Sequence, residues 1–252
     1  MKPRYQDINA EAVDKWVAEG WEWGRPIDHD VFVRAANGDW QVLLTPLRSV
    51  PREWFGEMRG KRVLGLASGG GQQMPVFAAL GAGCTVLDYS PAQLNAERLV
   101  AQREGYEIAI VRADMTQPLP FEDASFDMIF HPVSNCYIRD VKSVWRECFR
   151  ILKKGGRLLS GLDTGLNFLF DEEDETRLVR PLPFDPLVDE ELYHLSVASD
   201  WGIQFSHTVE EQIGGQIEAG FLLRDIYHDL NGEGKLRELN VPTFFATLAE
   251  KP

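Results

Sequence analysis

The sequence predicts an α/β protein: a mostly parallel, doubly wound sheet with helices on both faces, closed by an antiparallel hairpin and preceded by a helical cap. Three observations carry this expectation. From Lys61 to about Asp163, apolar strand-like runs alternate with helical ones, the pattern of a parallel sheet covered on both sides. The run VLGLASGGG, Val63 to Gly71, passes from an apolar strand into three consecutive glycines and on into a helix. Near the end, FLLRDIYHD (Phe221 to Asp229) and TFFATLAE (Thr243 to Glu250) read as two strands whose connection allows antiparallel pairing at the sheet edge.

Taken in order, residues 1–60 hold five of the seven tryptophans, Trp16, Trp21, Trp23, Trp40 and Trp54, without strand alternation, and read as a helical cap. Those rings must be buried, either against the sheet and its helices or as a lid over a ligand. Residues 61–252 then form the main domain, with strands expected near 61–67, 84–88, 107–112, 125–131 and 156–162. Helices are expected near 72–81, 91–104 and 140–153. Pro75 suits a first helical turn, where a missing N–H costs little. Lys153-Lys154-Gly155-Gly156 suits a helix end, with cations at the negative pole and glycine to break it. After Leu166 come the acidic run Asp171 to Glu175 and the proline-rich RPLPFDPL, Arg180 to Leu187, so 164–207 reads as an insertion or lid. A helix is expected from Thr208 to Gly220 before the closing strands.

Composition narrows the function. With 252 residues, 44% of them hydrophobic, the chain can bury a sizeable core. Its 39 acidic and 26 basic residues give a net charge of −13, a field that repels polyanions, and no basic patch offsets it. Nucleic acid is therefore not the expected substrate. No apolar run approaches the roughly 20 residues of a membrane helix, and the first residues lack a secretion signal, so a soluble cytoplasmic protein is expected. Cys84, Cys136 and Cys148 form no CxxC pair, which fits reduced thiols and no metal site.

The chemistry-bearing residues cluster at strand ends. Asp88 closes the second strand in TVLDYSP, where a carboxylate can accept from both hydroxyls of a ribose. Its alternative role, capping the next helix, is already open to Ser90. Asp114 and Met115 follow the third strand, with a carboxylate for an adenine amino group and an apolar side chain for the ring face. Open α/β sheets bind ligands along this edge.

These segments resemble the class I S-adenosylmethionine-dependent methyltransferases from about Val63 to Leu159. VLGLASGGG is similar to the family's first motif and VLDYSPAQL to its second. ADM followed by LPFEDASFDMIFHP resembles the approach to the fourth strand, and WRECFRILKKGGRLL the helix and turn before the fifth. The resemblance implies a Rossmann-like seven-stranded sheet with S-adenosyl-L-methionine across the strand ends. It places Ala67, Ser68, Gly69 and Gly71 near the methionine and ribose, Asp88 on the ribose, Tyr89 beside adenine, and Asp114 with Met115 at adenine. Two positions depart from the family pattern: Gly65 stands where an acidic residue is usual, and Ala67 where the first glycine is usual. Gln72 and Gln73, whose amides donate and accept, are candidates to hold the amino-acid end instead.

Methyl transfer needs alignment and exclusion of water, with a general base only where the acceptor must lose a proton. His131, ending the fourth strand in HPVSNCY, is the candidate base; its other role is to bond the cofactor or the adjoining turn. Asn135, Tyr137 and His207, with Tyr5, Trp21 and Trp23 from the cap, are candidate acceptor contacts. HPVSN is not the N-P-P-[YF] pattern of the amino-group methyltransferases that act on nucleic acid or protein glutamine, which directs the expectation to a small-molecule acceptor. The competing readings are a non-catalytic S-adenosylmethionine-binding protein, suggested by Gly65 and Ala67, and a nicotinamide oxidoreductase, against which the closing hairpin argues.

Overall fold

The computed structural model describes residues 3–171, 174–198 and 201–252. Strands β1 (Arg62–Leu66), β2 (Gly83–Asp88) and β3 (Ile108–Arg112) alternate with helices α3 (Gln73–Ala79) and α4 (Pro91–Glu104). Beyond them come β4 (Phe126–His131), α5 (Val141–Ile151) and β5 (Leu152–Asp163), and the chain closes with β6 (Leu222–Asp229) and β7 (Phe244–Glu250). The sheet order is β3-β2-β1-β4-β5-β7-β6. The first five strands run parallel, and β7 inserts between β5 and β6, antiparallel to both. The chain reverses direction across the sheet between β1 and β4, so the ligand-binding crevice expected at such a switch lies over their C-terminal ends.

Strand alternation sets two hydrophobic layers. Val63, Met128 and Phe130 face Met74 and Phe77 of α3 on one side, while Leu64, Leu66 and Ile129 face Trp145, Cys148 and Ile151 of α5 on the other.

The structure corrects two element boundaries. Helix α5 ends at Ile151, before the Lys-Lys-Gly-Gly run, because Leu152 is already extended (φ −74°, ψ 141°) and pairs with Phe126. That extension carries Lys153 to Asp127, which its ammonium meets at 2.8 and 2.9 Å, and the turn follows only at Gly155 (φ +74°). The expected helix over 208–220 opens with a widened turn at Glu210–Gly214 before α8 (Gly215–Glu218). The indole N–H of Trp145 donates to the Glu211 carbonyl at 3.1 Å, drawing that carbonyl out of the regular helical ladder. The hairpin connection also contains a short helix, α9 (Lys235–Glu238), where only a turn is expected from sequence.

Residues 1–60 contain α1 (Tyr5–Ala18) and α2 (His29–Ala36). Helix α1 crosses the ends of β2 and β3: Asp7 accepts from the Tyr89 hydroxyl (2.7 Å), and Asp14 accepts from the Ala92 N–H (3.0 Å) and from Ser90 Oγ. Trp54 is buried and donates to Asp225 (2.9 Å), and Trp40 packs on Phe55 with ring centroids 5.1 Å apart. The segment around Leu44 crosses over β5 at Gly161, where an added Cβ would lie 1.9 Å from the Leu44 carbonyl oxygen. Only glycine permits that crossing, which brings Leu43 to Pro46 to the strand ends.

Between β5 and α8 lie α6 (Leu166–Leu169) and α7 (Glu190–Ala198). Of the acidic run 171–175, Glu172 and Glu173 lie outside the described residues. This stretch is tied back to α1 by Asn9, whose amide donates to the carbonyls of Ile203 (2.9 Å) and Tyr137 (3.2 Å) and accepts from the Ile203 N–H (2.6 Å). Among the described residues, no helix is long and apolar enough to cross a membrane.

Candidate active site

A cavity of about 580 Å³ lies over the C-terminal strand ends. On the β1–β2–β3 side its lining includes Ala67, Ser68, Gly69, Asp88, Tyr89, Asp114 and Met115. On the β5–β7 side it includes Asp163, Phe168, Arg180, Phe184 and Phe244, with Trp21, Trp23 and Trp201 also on the wall.

The glycine turn is held by two carboxylates, the partly buried Asp88 and the buried Glu97. The Gly69 N–H donates to Asp88 Oδ2 (3.0 Å) and the Gly71 N–H to Glu97 Oε1 (2.8 Å). An added Cβ at Gly69 would sit 2.6 Å from Gln93 Cβ, and one at Gly71 2.8 Å from Val100 Cγ2, so the glycines let α4 pack directly beneath the turn. Gly71 faces that helix and does not line the cavity. Ala67 holds a left-handed conformation (φ +46°), fixed by its N–H bonding the Leu87 carbonyl at 2.8 Å. A side chain there costs roughly 1 kcal/mol. Ala67→Gly is therefore expected to raise the urea midpoint by an amount equivalent to about 1 kcal/mol, and an unchanged or lower midpoint would contradict the strain.

Gly65 has a packing reason as well: an added Cβ would lie 2.8 Å from Met74 Sδ, so the thioether occupies the space a carboxylate would need. Gln73 accepts from Ser68 Oγ (3.1 Å), while Gln72 donates to the carbonyls of Glu22 (2.7 Å) and Arg25 (3.1 Å), fastening the cap to α3. Both side chains line the cavity.

Asp88 is the best-placed group for a ribose. Ser90 caps α4, its hydroxyl accepting from the Gln93 N–H at 3.1 Å, which frees Asp88 from that task. Asp88 accepts from the N–H groups of Gly69 and Ser90, each at 3.0 Å. Burial pushes its carboxyl above the usual range, against the opposing N–H groups of Ser90, Gly69 and Tyr89. Beside it, Gln93 Oε1 is buried with no partner among the described residues. A carboxylate at a strand end, a backbone turn without side chains and an orphaned amide oxygen together fit a nucleoside cofactor. Asp114 holds the turn after β3, accepting from the Thr116 N–H (2.9 Å) and hydroxyl (2.6 Å), and pairs with Arg4 from the cap.

His131 does not reach the cavity. It is fully buried, with Nδ1 2.8 Å from the Leu66 carbonyl and Nε2 2.6 Å from the Asn135 side-chain amide. Burial lowers its pKa, against the opposing pull of the Leu66 carbonyl and the Asn135 side-chain oxygen on its two ring nitrogens. With both nitrogens engaged, His131 ties β4 to β1, and the expectation that it serves as a base is corrected. Among the acceptor-contact candidates, Trp21, Trp23 and Tyr137 line the cavity, whereas Tyr5, Asn135 and His207 do not. Tyr5 packs against Phe205 at 5.2 Å, and His207 Nε2–H donates to the Asn135 carbonyl at 3.0 Å.

Residues 64–160 match the model of a methyltransferase domain. The chain is 41% identical over 230 residues to YbaJ, described as an uncharacterized methyltransferase, of Bacillus subtilis, with 89% of this chain and 90% of that protein covered. The chain belongs to the S-adenosylmethionine-dependent methyltransferases. Its methyl donor is S-adenosylmethionine, and the nicotinamide and non-catalytic readings fall away. This methyltransferase shares its fold with an S-adenosylmethionine-dependent methyltransferase of Mesorhizobium loti (TM-score 0.64, 20% identity, 79% of this chain and 94% of that one). It also shares it with geranyl diphosphate C-methyltransferase of Streptomyces coelicolor (TM-score 0.60, 12% identity, 99% of each chain).

Two residues of this methyltransferase escaped the sequence reading. Asp163 ends β5 inside the cavity, and the strand-end rule that identified Asp88 would have found it in GLDTG. Glu97 lies in the middle of α4, where its spacing gives no hint that it reaches back to the glycine turn.

Proposed function

We propose that this methyltransferase modifies a small organic acceptor held at the β4–β5 side of the cavity. The observation that carries this reading is the continuous cavity of about 580 Å³ that joins cofactor-competent groups to an apolar wall of Phe168, Phe184 and Phe244, a volume suited to a cofactor and a small organic molecule. In this reading Asp88 accepts from the ribose hydroxyls, Asp114 and Met115 hold adenine with Tyr89 beside them, and Ala67, Ser68 and Gly69 border the methionine end with Gln72 and Gln73. S-adenosylmethionine supplies a methyl group already activated by its sulfonium. The protein's part is to orient the acceptor and exclude water. The cap of residues 1–60 and the 164–207 insertion act together as the enclosing wall, with Trp21, Trp23 and Tyr137 against the acceptor. The net charge of −13 disfavours nucleic acid, and three buried free cysteines suit a reducing cytoplasm.

Incubating the protein with methyl-labelled S-adenosylmethionine and fractionated cell extract tests the reading. Label is expected in the low-mass fraction; incorporation confined to protein or nucleic acid would overturn it.

A further inference from the structure

We propose that Asp163 takes the proton of the methyl acceptor, so that the acceptor presents an O–H or N–H nucleophile on an apolar body. This inference rests on the small-molecule reading above and assigns the chemistry of its acceptor. Asp163 is the last residue of β5 and lines the cavity on the side away from Asp88 and Asp114. It is 5% exposed; Oδ1 accepts from the Gly165 N–H at 2.8 Å, whereas the buried Oδ2 has no hydrogen-bond partner among the described residues. An unpaired carboxylate oxygen in such a place costs free energy that a donor group on a ligand would recover.

The groups around Asp163 leave it as the proton acceptor. Cys136 and Tyr137, from the turn after β4, are both pushed well up by burial, with Asp163 adding to the effect, so neither ionises near neutral pH. His131 is sealed off. Arg180 shares the cavity wall, but its guanidinium donates to the Phe170 carbonyl (3.4 Å) and lies 5.9 Å over the Phe184 ring. Burial raises the Asp163 carboxyl to about 6, while His207, on the segment leading to α8, pulls it down. Asp163 is then ionised at neutral pH yet more basic than an exposed aspartate, the balance a general base needs. In the transfer, a lone pair of the acceptor's oxygen or nitrogen forms the bond to the methyl carbon, the carbon–sulfur pair stays on sulfur, and the released proton passes to Oδ2. The phenyl rings of Phe168, Phe184 and Phe244 surround the rest of the acceptor.

Calorimetric titration of the full-length protein, saturated with S-adenosylhomocysteine, tests this with 2-phenylethanol, 2-phenylethylamine and 3-phenylpropionate between pH 5 and 7.5. The alcohol and amine are expected to bind. The amine should tighten roughly tenfold as Asp163 ionises, and the carboxylate should weaken over the same range. In Asp163→Asn both pH dependences should vanish while S-adenosylhomocysteine affinity stays within twofold. A pH dependence that survives the substitution would overturn the assignment alone. Failure of all three probes to bind wild-type protein would overturn the small-molecule reading and this inference together. Infrared absorption of Glu97→Gln protein, which lacks the Glu97 carboxyl that is raised to about 8, gives a check that leaves Asp163 in place: a protonated carboxyl band should disappear between pH 5 and 7.5 and be lost at lower pH when the amine is bound. Its absence across that range would also overturn the assignment.

Discussion

Replacing Asp88 with alanine is expected to weaken S-adenosylhomocysteine binding at least a hundredfold. A carboxylate accepting from two ribose hydroxyls makes two charge-assisted hydrogen bonds, each worth about 1.5–3 kcal/mol. Asp88 also fixes the N–H groups of Gly69 and Ser90, so its loss loosens the turn that borders the ligand. Asp88→Asn separates the two effects, because an amide oxygen can still hold one of those N–H groups while the negative charge is gone. It should lose roughly tenfold or more in affinity with little change in unfolding midpoint. Calorimetric titration of both variants measures this, and a dissociation constant within threefold of wild type for Asp88→Ala would exclude the ribose role.

Glu97 sets the second large effect, on the pH dependence of stability. Its carboxyl moves from 4.5 to about 8 on folding, chiefly through burial, with the Gly71 N–H opposing and Asp88 adding to the rise. The folded state therefore holds a proton that the unfolded state releases. The resulting stabilisation is fully present below pH 4.5 and is lost as pH rises through about 8. By linkage the loss is on the order of 5 kcal/mol. The neighbours reinforce this, since Cys84 and Tyr106 are also raised by burial and by Glu97, and Glu97 Oε2 and the Tyr106 hydroxyl are buried without partners among the described residues. Glu97→Gln keeps an oxygen for the Gly71 N–H and removes the ionisation. Urea unfolding at pH 5, 7 and 8.5 should show a steep decline for wild type and a much flatter one for Glu97→Gln, with the variant the more stable at pH 8.5. Parallel declines in the two proteins would show that another group is responsible.

Much of the fold is legible because it follows from local patterns. Parallel strands buried on both faces need apolar runs, and the runs at 63–66, 86–87 and 128–130 lie within β1, β2 and β4. Ser90-Pro91 marks the start of α4 through capping and a fixed proline φ, both properties of the dipeptide itself. The boundary at Lys153 is not legible in the local sequence, because its decisive partner, Asp127, lies 26 residues away. The widened turn at Glu210–Gly214 depends in the same way on Trp145, which reaches it across the packed face of α5.

The site divides along the same line. Asp88, Asp114 and the glycine turn could be read in advance because a residue ending a parallel strand must lie at the ligand-binding edge wherever the rest of the chain goes. Side-chain direction and occupancy carry no such signature. His131 ends a strand as Asp88 does, yet it points between β1 and α5, where Leu66 and Asn135 take both nitrogens. Tryptophan count alone could not assign Trp54 to the core and Trp23 to the cavity wall. By itself, the sequence determined the sheet, its family and the methyl donor, since these depend on periodicity and on short motifs whose residues adjoin in the chain. The tertiary structure alone decided the rest: that Met74 fills the place of the missing acid at Gly65, that Glu97 holds the glycine turn, and that one carboxylate oxygen of the cavity residue Asp163 has no partner among the described residues. Each of these is a contact between segments distant in sequence, fixed only when the packed elements exclude every other partner.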